Sequence, residues 1–177
     1  MRHSINRRKF LQTGALAGAT SFLATSLHGK HMERASSEIG KSKWELDSPA
    51  LCVDLDTMSQ NIRAIHSALR GTGVGVRPHA KTHKCPEIAR MQIAAGAVGI
   101  CTAKISESEI MLSNGIADVL MTGVNITVPK IRKAMELRKK YSGFIQATDN
   151  PANVQDLQDA ARAAGIIAHV VVDIDVM

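Results

Sequence analysis

Residues 77–89 read R-P-H-A-K-T-H-K-C-P-E-I-A, and they hold the residue types best suited to chemistry in this chain. His79, Lys81, His83 and Lys84 fall within six positions. The short apolar run Val74-Gly75-Val76 precedes them. Pro86, at a first helical position, and Glu87, in a first turn, follow as a helix start. The cluster is therefore expected where a strand ends and a helix begins. In α/β folds that C-terminal edge is where ligands bind. A lysine held among other cations is expected to have a lowered pKa, because neighbouring positive charge disfavours its ammonium form. A neutral amine is what a Schiff base to an aldehyde requires. From residue types alone three readings stand: a Schiff-base lysine, a phosphate-binding loop and a solvated basic loop.

The flanking sequence predicts the elements that would position this cluster. Strands are expected over residues 50–54, 73–77, 98–102, 118–122, 144–148 and 167–172. Helices are expected between them. Asp56 is the expected cap of the first, with Ile62, Ile65 and Leu69 on one face. The helix over 86–95 is expected to close at Gly96. Ser106 with Glu109 three residues on reads as a capping box, and Asn114-Gly115 as that helix's stop. A helix over 127–141 carries Pro129 in its first turn. Asn150-Pro151 starts another helix, which Gly165 stops. Strands alternating with helices of ten to fifteen residues argue for βαβ units and a parallel sheet. At this level an open doubly wound sheet and a barrel look alike. No G-x-G-x-x-G follows the first strand, which weakens a dinucleotide fold.

The order of residues around Lys81 resembles the D-threonine aldolase and D-serine dehydratase family. These are fold-type III enzymes related to the alanine racemase N-terminal barrel, and they typically show R-P-H-x-K-T-H-K. Ser48-Pro49-Ala50-Leu51-Cys52-Val53-Asp54-Leu55-Asp56 resembles the family's opening T-P-A-L-V-V-D-L-D, with Asn61-Ile62 at the usual offset. The stretch from Gly96 to Lys104, then Glu107-Ser108-Glu109, resembles its next strand and helix start. The resemblance runs from about Ser48 to Val176 and implies a (β/α)₈ barrel.

The resemblance implies pyridoxal 5'-phosphate as cofactor, with Lys81 as its Schiff-base residue and Lys84 not. His79 and His83 become candidate cofactor contacts. The implied activity is a lyase acting on D-β-hydroxy amino acids, a small-molecule substrate. An aldolase would break the Cα–Cβ bond; a dehydratase would remove the Cα proton and then the hydroxyl. The pyridoxal ring is the electron sink in either case. A racemase is the alternative, but the alanine racemase context K-A-N-A-Y-G is missing from the chain. The family's divalent metal, Mn²⁺ or Zn²⁺, is held by His and Cys of a C-terminal β domain. No metal ligand is therefore expected here, and His66, His79, His83 and His169 are not assigned as substitutes. His169 is read as a core histidine in an apolar strand. The resemblance also implies homodimers for full-length relatives. Met121-Thr122-Gly123-Val124-Asn125 departs from the family's usual residues.

A barrel of this type typically takes about 250 residues. By the family count, residues 73–77 begin the barrel and residues 167–172 are its fifth strand of eight. The chain is thus expected to be a partial barrel lacking the C-terminal β domain. An inactive truncated product is the second functional reading. The expected organisation is a signal segment over 1–29, a linker over 30–47 and the barrel part over 48–177.

Asn6-Arg7-Arg8-Lys9-Phe10-Leu11 has the form of a twin-arginine motif, and a mildly apolar stretch follows it. Arg7 and Arg8 are the expected signal residues, the twin-arginine export machinery the expected partner, and the periplasm the expected destination. The net charge of +6 does not point to nucleic acid. Residues 1–41 hold seven Lys/Arg and two Asp/Glu, whereas residues 42–177 hold fifteen and fourteen. Aromatic residues make up only 3% of the chain, which leaves little for base stacking. Lys130, Arg132, Lys133, Arg138, Lys139 and Lys140 are expected on a solvated face opposite Ile131, Ala134, Met135 and Leu137. Cys52, Cys85 and Cys101 show no metal or redox spacing and read as buried or loop thiols. Cys85, at a helix N-terminus, is the one placed for acidification.

Overall fold

The computed structural model describes residues 41–176. The chain divides into two compact units, Met1–Val53 and Asp54–Met177. In the first, the described part forms turns but no strand. The expected strand over 50–54 is not formed, and Leu51 is fully exposed. Apolar alternation alone does not make a strand, because the ladder needs a partner.

The second unit begins with helix α1, Leu55–Ala68. Asp54, not Asp56, is its N-cap, accepting the Thr57 N–H at 2.8 Å. Asp56 lies in the first turn, where a negative charge also favours the helix. No residue of α1 is buried, although Ile62 and Leu69 are partly covered.

The sheet and its helices follow in alternation. They are α2 (Pro86–Ala94), β1 (Ile100–Thr102), α3 (Ile105–Ser113), β2 (Val119–Met121), α4 (Val128–Lys140), β3 (Phe144–Thr148), α5 (Pro151–Ala164) and β4 (Val170–Val172). Proline opens α2, α4 and α5, where a missing N–H leaves no intrahelical bond unmade. Asn150 caps α5 by accepting the Asn153 N–H at 2.8 Å, and Gly165 ends it in the left-handed region. The capping box expected at Ser106 and Glu109 is not formed. Helix α3 starts two residues earlier, with Lys104 as N-cap, so Glu107 reaches back instead and accepts the Ala103 N–H at 2.9 Å. Glu109 is taken by an ion pair with Lys133 at 2.6 Å.

All three strand pairs are parallel, and the order is β1-β2-β3-β4. A doubly wound sheet reverses its order at a switch point; the wall of a barrel does not. The sequential order therefore resolves the ambiguity in favour of a barrel arc. Ile100, Val119 and Phe144 point into the core, where they meet Met111, Leu112, Ile131, Ala134, Met135 and Leu157. Burying each large apolar side chain contributes about 1.5–3 kcal/mol. The basic residues of α4 stand opposite its buried stripe Ile131, Ala134, Met135 and Leu137, as the periodicity predicts. His169 is not in the core. It is exposed just before the edge strand β4, and Arg138 reaches from α4 to lie 2.9 Å from its Nε2.

Candidate active site

Residues 76–80 run alongside β1 as a fifth parallel segment. Val98 N–H donates to Val76 O at 2.9 Å, Cys101 N–H to Pro78 O at 2.7 Å, and Ala80 N–H to Cys101 O at 2.8 Å. Alternate residues of an extended segment share a face. Ala80 is buried in the core between sheet and helices. His79 therefore belongs to the opposite face, with the half-exposed Cys101 and Leu120, and Lys81 follows it in the turn. Lower on that face Arg77 pairs with Asp118 at 2.6 Å. A Cβ on Gly99 would collide with the Arg77 guanidinium, so glycine there makes room for the pair.

The segment then turns. Lys84 N–H donates to Ala80 O at 2.7 Å, and Lys84 takes a positive φ of 50°. Cys85 is the N-cap residue of α2 and its Sγ lies 3.1 Å from Glu87 Oε2. Lys81 is thus set at the C-terminal edge of the sheet. It is exposed, and its amine makes no hydrogen bond or ion pair among the described residues.

His79 ties this turn to the next loop. Its Nδ1 accepts the Lys81 backbone N–H at 3.2 Å, and its Nε2 lies 3.2 Å from Thr122 Oγ1. The Thr122 hydroxyl donates to Thr102 O at 3.1 Å. With that proton committed, Thr122 accepts from Nε2–H, which assigns the neutral Nε2–H tautomer. Burial lowers the pKa of His79, the Lys81 charge lowers it further, and Glu107 opposes.

His83 is placed elsewhere. Its Nδ1 accepts the Cys85 N–H at 3.1 Å, and its buried Nε2 has no hydrogen-bond partner. Gln92 lies near enough to favour the charged imidazole, yet its Oε1 is also unpaired, so no well-formed bond joins the two. Burial outweighs the Cys85 and Gln92 contributions and lowers the His83 pKa. The structure therefore brings His79 and Lys81 together and ties His83 to the start of α2. Arg7 and Arg8 lie outside the described residues.

Three residues unassigned by sequence reasoning support this edge. Thr122 holds His79. Glu107 pairs with Lys84 at 3.4 Å. Burial pushes the Glu107 carboxyl up, but hydrogen bonds from Ala103 and Lys84 outweigh it and leave it below the ordinary carboxylate range. Asn125, in the stretch that departs from the family pattern, is buried, donates to Gln146 Oε1 at 2.9 Å, and its carbonyl accepts from Asn153 Nδ2 at 2.8 Å. Cys101 is half-buried, and burial pushes its thiol up, so it stays protonated on this face.

A cavity of about 290 Å³ opens at the same edge between the loops after β1 and β2, with Lys104, Ser106, Asn125 and Lys130 on its walls. A larger one, about 540 Å³, lies between α4 and α5 and contains none of the lysine-turn residues. The smaller cavity is lined by residues at and after the C-terminal ends of β1 and β2, Ala103 and Met121 among them.

A parallel barrel arc with a lysine at the C-terminal edge of its first segment defines a class of α/β proteins, and similarity places the chain within it. Residues 53–177 match the family described as alanine racemase, N-terminal domain, and the chain belongs to that family. It is 35% identical over 131 residues to the D-threonine aldolase of Arthrobacter sp, covering 74% of this chain and 34% of that one. It is 33% identical over 130 residues to the D-threo-3-hydroxyaspartate dehydratase of Delftia sp. (strain HT23), covering 73% and 34%. The crystal structure of D-threonine aldolase from Filomicrobium marinum superposes with a TM-score of 0.71 at 37% identity, covering 74% of this chain and 35% of that one. The chain thus spans about a third of the length of the curated relatives it matches.

Proposed function

We propose that this chain forms the lysine-bearing part of a pyridoxal-phosphate-dependent lyase acting on D-β-hydroxy amino acids. The observation that carries the reading is the unpaired, exposed amine of Lys81 at the sheet's C-terminal edge, beside a neutral His79. The described residues fit the aldehyde end of the cofactor, and Lys81 would hold it covalently. When bound, pyridoxal phosphate supplies an electron sink for charge developing at the substrate Cα.

The protein's own contribution is positioning. Buried Ala80 and the Lys84–Ala80 bond hold the Cα of Lys81 at the edge. His79, with Nε2–H on Thr122 and Nδ1 on the Lys81 backbone, keeps the turn in register with the loop after β2. Because burial disfavours the imidazolium, His79 adds no second positive charge next to the lysine. Among the described residues no group of three or more His, Cys, Asp or Glu could hold a metal.

Support for the substrate class comes from the relatives, a D-threonine aldolase and a D-threo-3-hydroxyaspartate dehydratase. The test is borohydride reduction of the full-length protein after incubation with pyridoxal phosphate, followed by peptide mass analysis. Pyridoxyl is expected on the Lys81 peptide and lost in Lys81→Ala but not in Lys84→Ala. Labelling at Lys84, or none at all, would sink the reading. Acetaldehyde released from D-threonine would assign an aldolase; ammonia released from the hydroxyaspartate would assign a dehydratase.

The twin-arginine segment supports a further reading, that the protein is exported to the periplasm. Among the described residues no helix is long and apolar enough to cross a membrane.

A further inference from the structure

Lys81 and Lys84 lie in one turn, three residues apart, yet their surroundings differ. The Lys81 amine has no partner among the described residues. The Lys84 amine lies 3.4 Å from Glu107 Oε1. The Glu107 side chain is 11% exposed, and its other oxygen accepts the Ala103 N–H at 2.9 Å. Ala103 directly follows β1, so one carboxylate joins the lysine turn to the end of that strand.

The turn needs such a hold. A lysine in the left-handed region is disfavoured by about 1–2 kcal/mol, and Lys84 has φ 50°. The Lys84–Ala80 backbone bond closes one side of the turn, and Glu107 closes the other. Lys84 is 61% exposed, so the ion pair itself contributes little stability. What the carboxylate supplies is geometry: a two-point bridge from a largely buried group.

We propose that Glu107 is the positioning residue of the lysine turn. It bridges Lys84 Nζ and the Ala103 N–H, keeps the Lys84 amine paired, and leaves the Lys81 amine as the free nucleophile. The last clause rests on the reading of Lys81 as the cofactor lysine; the bridge itself does not.

The first test needs no cofactor. Brief acetylation of the full-length protein, with peptide mass analysis, should modify Lys81 faster than Lys84 by about threefold, a ratio in keeping with a weak exposed pair. Glu107→Gln, which keeps an acceptor for Ala103 but removes the charge, should bring the ratio toward one. A wild-type ratio of one, or a ratio unchanged by Glu107→Gln, would overturn the bridge. If Glu107→Gln does not fold, Lys84→Met examines the pair from its other end. Backbone amide exchange across residues 81–84 should then speed up, and unchanged exchange counts against the proposal. A second arm adds pyridoxal phosphate and borohydride. The wild type should carry the label on Lys81 alone, and Glu107→Gln should spread it to Lys84. A label confined to Lys81 in Glu107→Gln would overturn the selecting role. A wild type that takes no label would remove the cofactor reading, while the acetylation ratio still decides the bridge.

Discussion

The backbone N–H of Lys81 donates to Nδ1 of His79 at 3.2 Å. A residue two positions earlier thus holds the lysine's own main chain, and its other ring nitrogen reaches Thr122, 43 positions away. The lysine turn and the loop after β2 are joined through one imidazole.

Thr122→Val should therefore leave His79 Nε2–H without an acceptor, at a cost of about 1 kcal/mol in stability. Pyridoxal incorporation at Lys81 should slow as well. Imidazole nitrogen shifts in NMR should show the Nε2–H tautomer in the wild type and a mixture in the variant. An unchanged tautomer with unchanged stability would mean that another contact orients the ring.

Acid stability should follow the histidines. Burial first, then Lys81, lowers His79 below 6.5; burial lowers His83 against Cys85 and Gln92. The unfolded chain then binds protons that the folded chain resists. This stability is complete above the unfolded value and is lost as pH falls through it toward the folded values. His83→Asn can still accept the Cys85 N–H through its amide oxygen. It should shrink the loss measured by urea unfolding between about pH 7 and 5. The Glu107 carboxyl is lowered from 4.5, so its contribution lies in a separate window and fades only below that value.

Asn150 accepts the Asn153 N–H at the start of α5. Asn150→Ala should cost about 1 kcal/mol, and Asn150→Ser should recover most of it. Denaturant midpoints at constant slope would measure both. Equal midpoints for the alanine and serine variants would show that the cap is not what stabilises this end.

Gly143 precedes β3, and its carbonyl accepts the Val119 N–H at 3.0 Å. A Cβ there would run into the Ala117 carbonyl oxygen. Gly143→Ala should destabilise by about 1–3 kcal/mol, as overpacking does. A thermal midpoint matching the wild type would contradict that close approach.

For the export reading, Arg7→Lys together with Arg8→Lys should abolish delivery of a fused reporter to the periplasm. Continued delivery would remove the twin-arginine assignment. Reporter activity in periplasmic extracts measures it.

The sequence alone determined what depends on neighbours within a turn or two. Proline and glycine marked the ends of α2, α4 and α5, and the apolar period marked the buried face of α4. The position of Lys81 between an extended run and a helix start was equally legible, because strand end, turn and Pro86 are all local. Tertiary structure decided what depends on register and on distant partners. Residues 50–53 are apolar but have no ladder, so they form no strand. His169 sits in an apolar run, yet it lies just outside β4, exposed, and Arg138 comes 31 positions to meet it. Asp54 displaced Asp56 as cap, and Glu107 displaced the Ser106–Glu109 pair, because a shift of two residues in where a helix starts reassigns every capping role. His79 and His83 look alike in sequence, four positions apart. Only the fold separates them: parallel pairing with β1 turns His79 toward Thr122, and the turn that follows carries His83 over to α2. A local pattern cannot encode that difference, since it arises from which strand lies alongside and in what register.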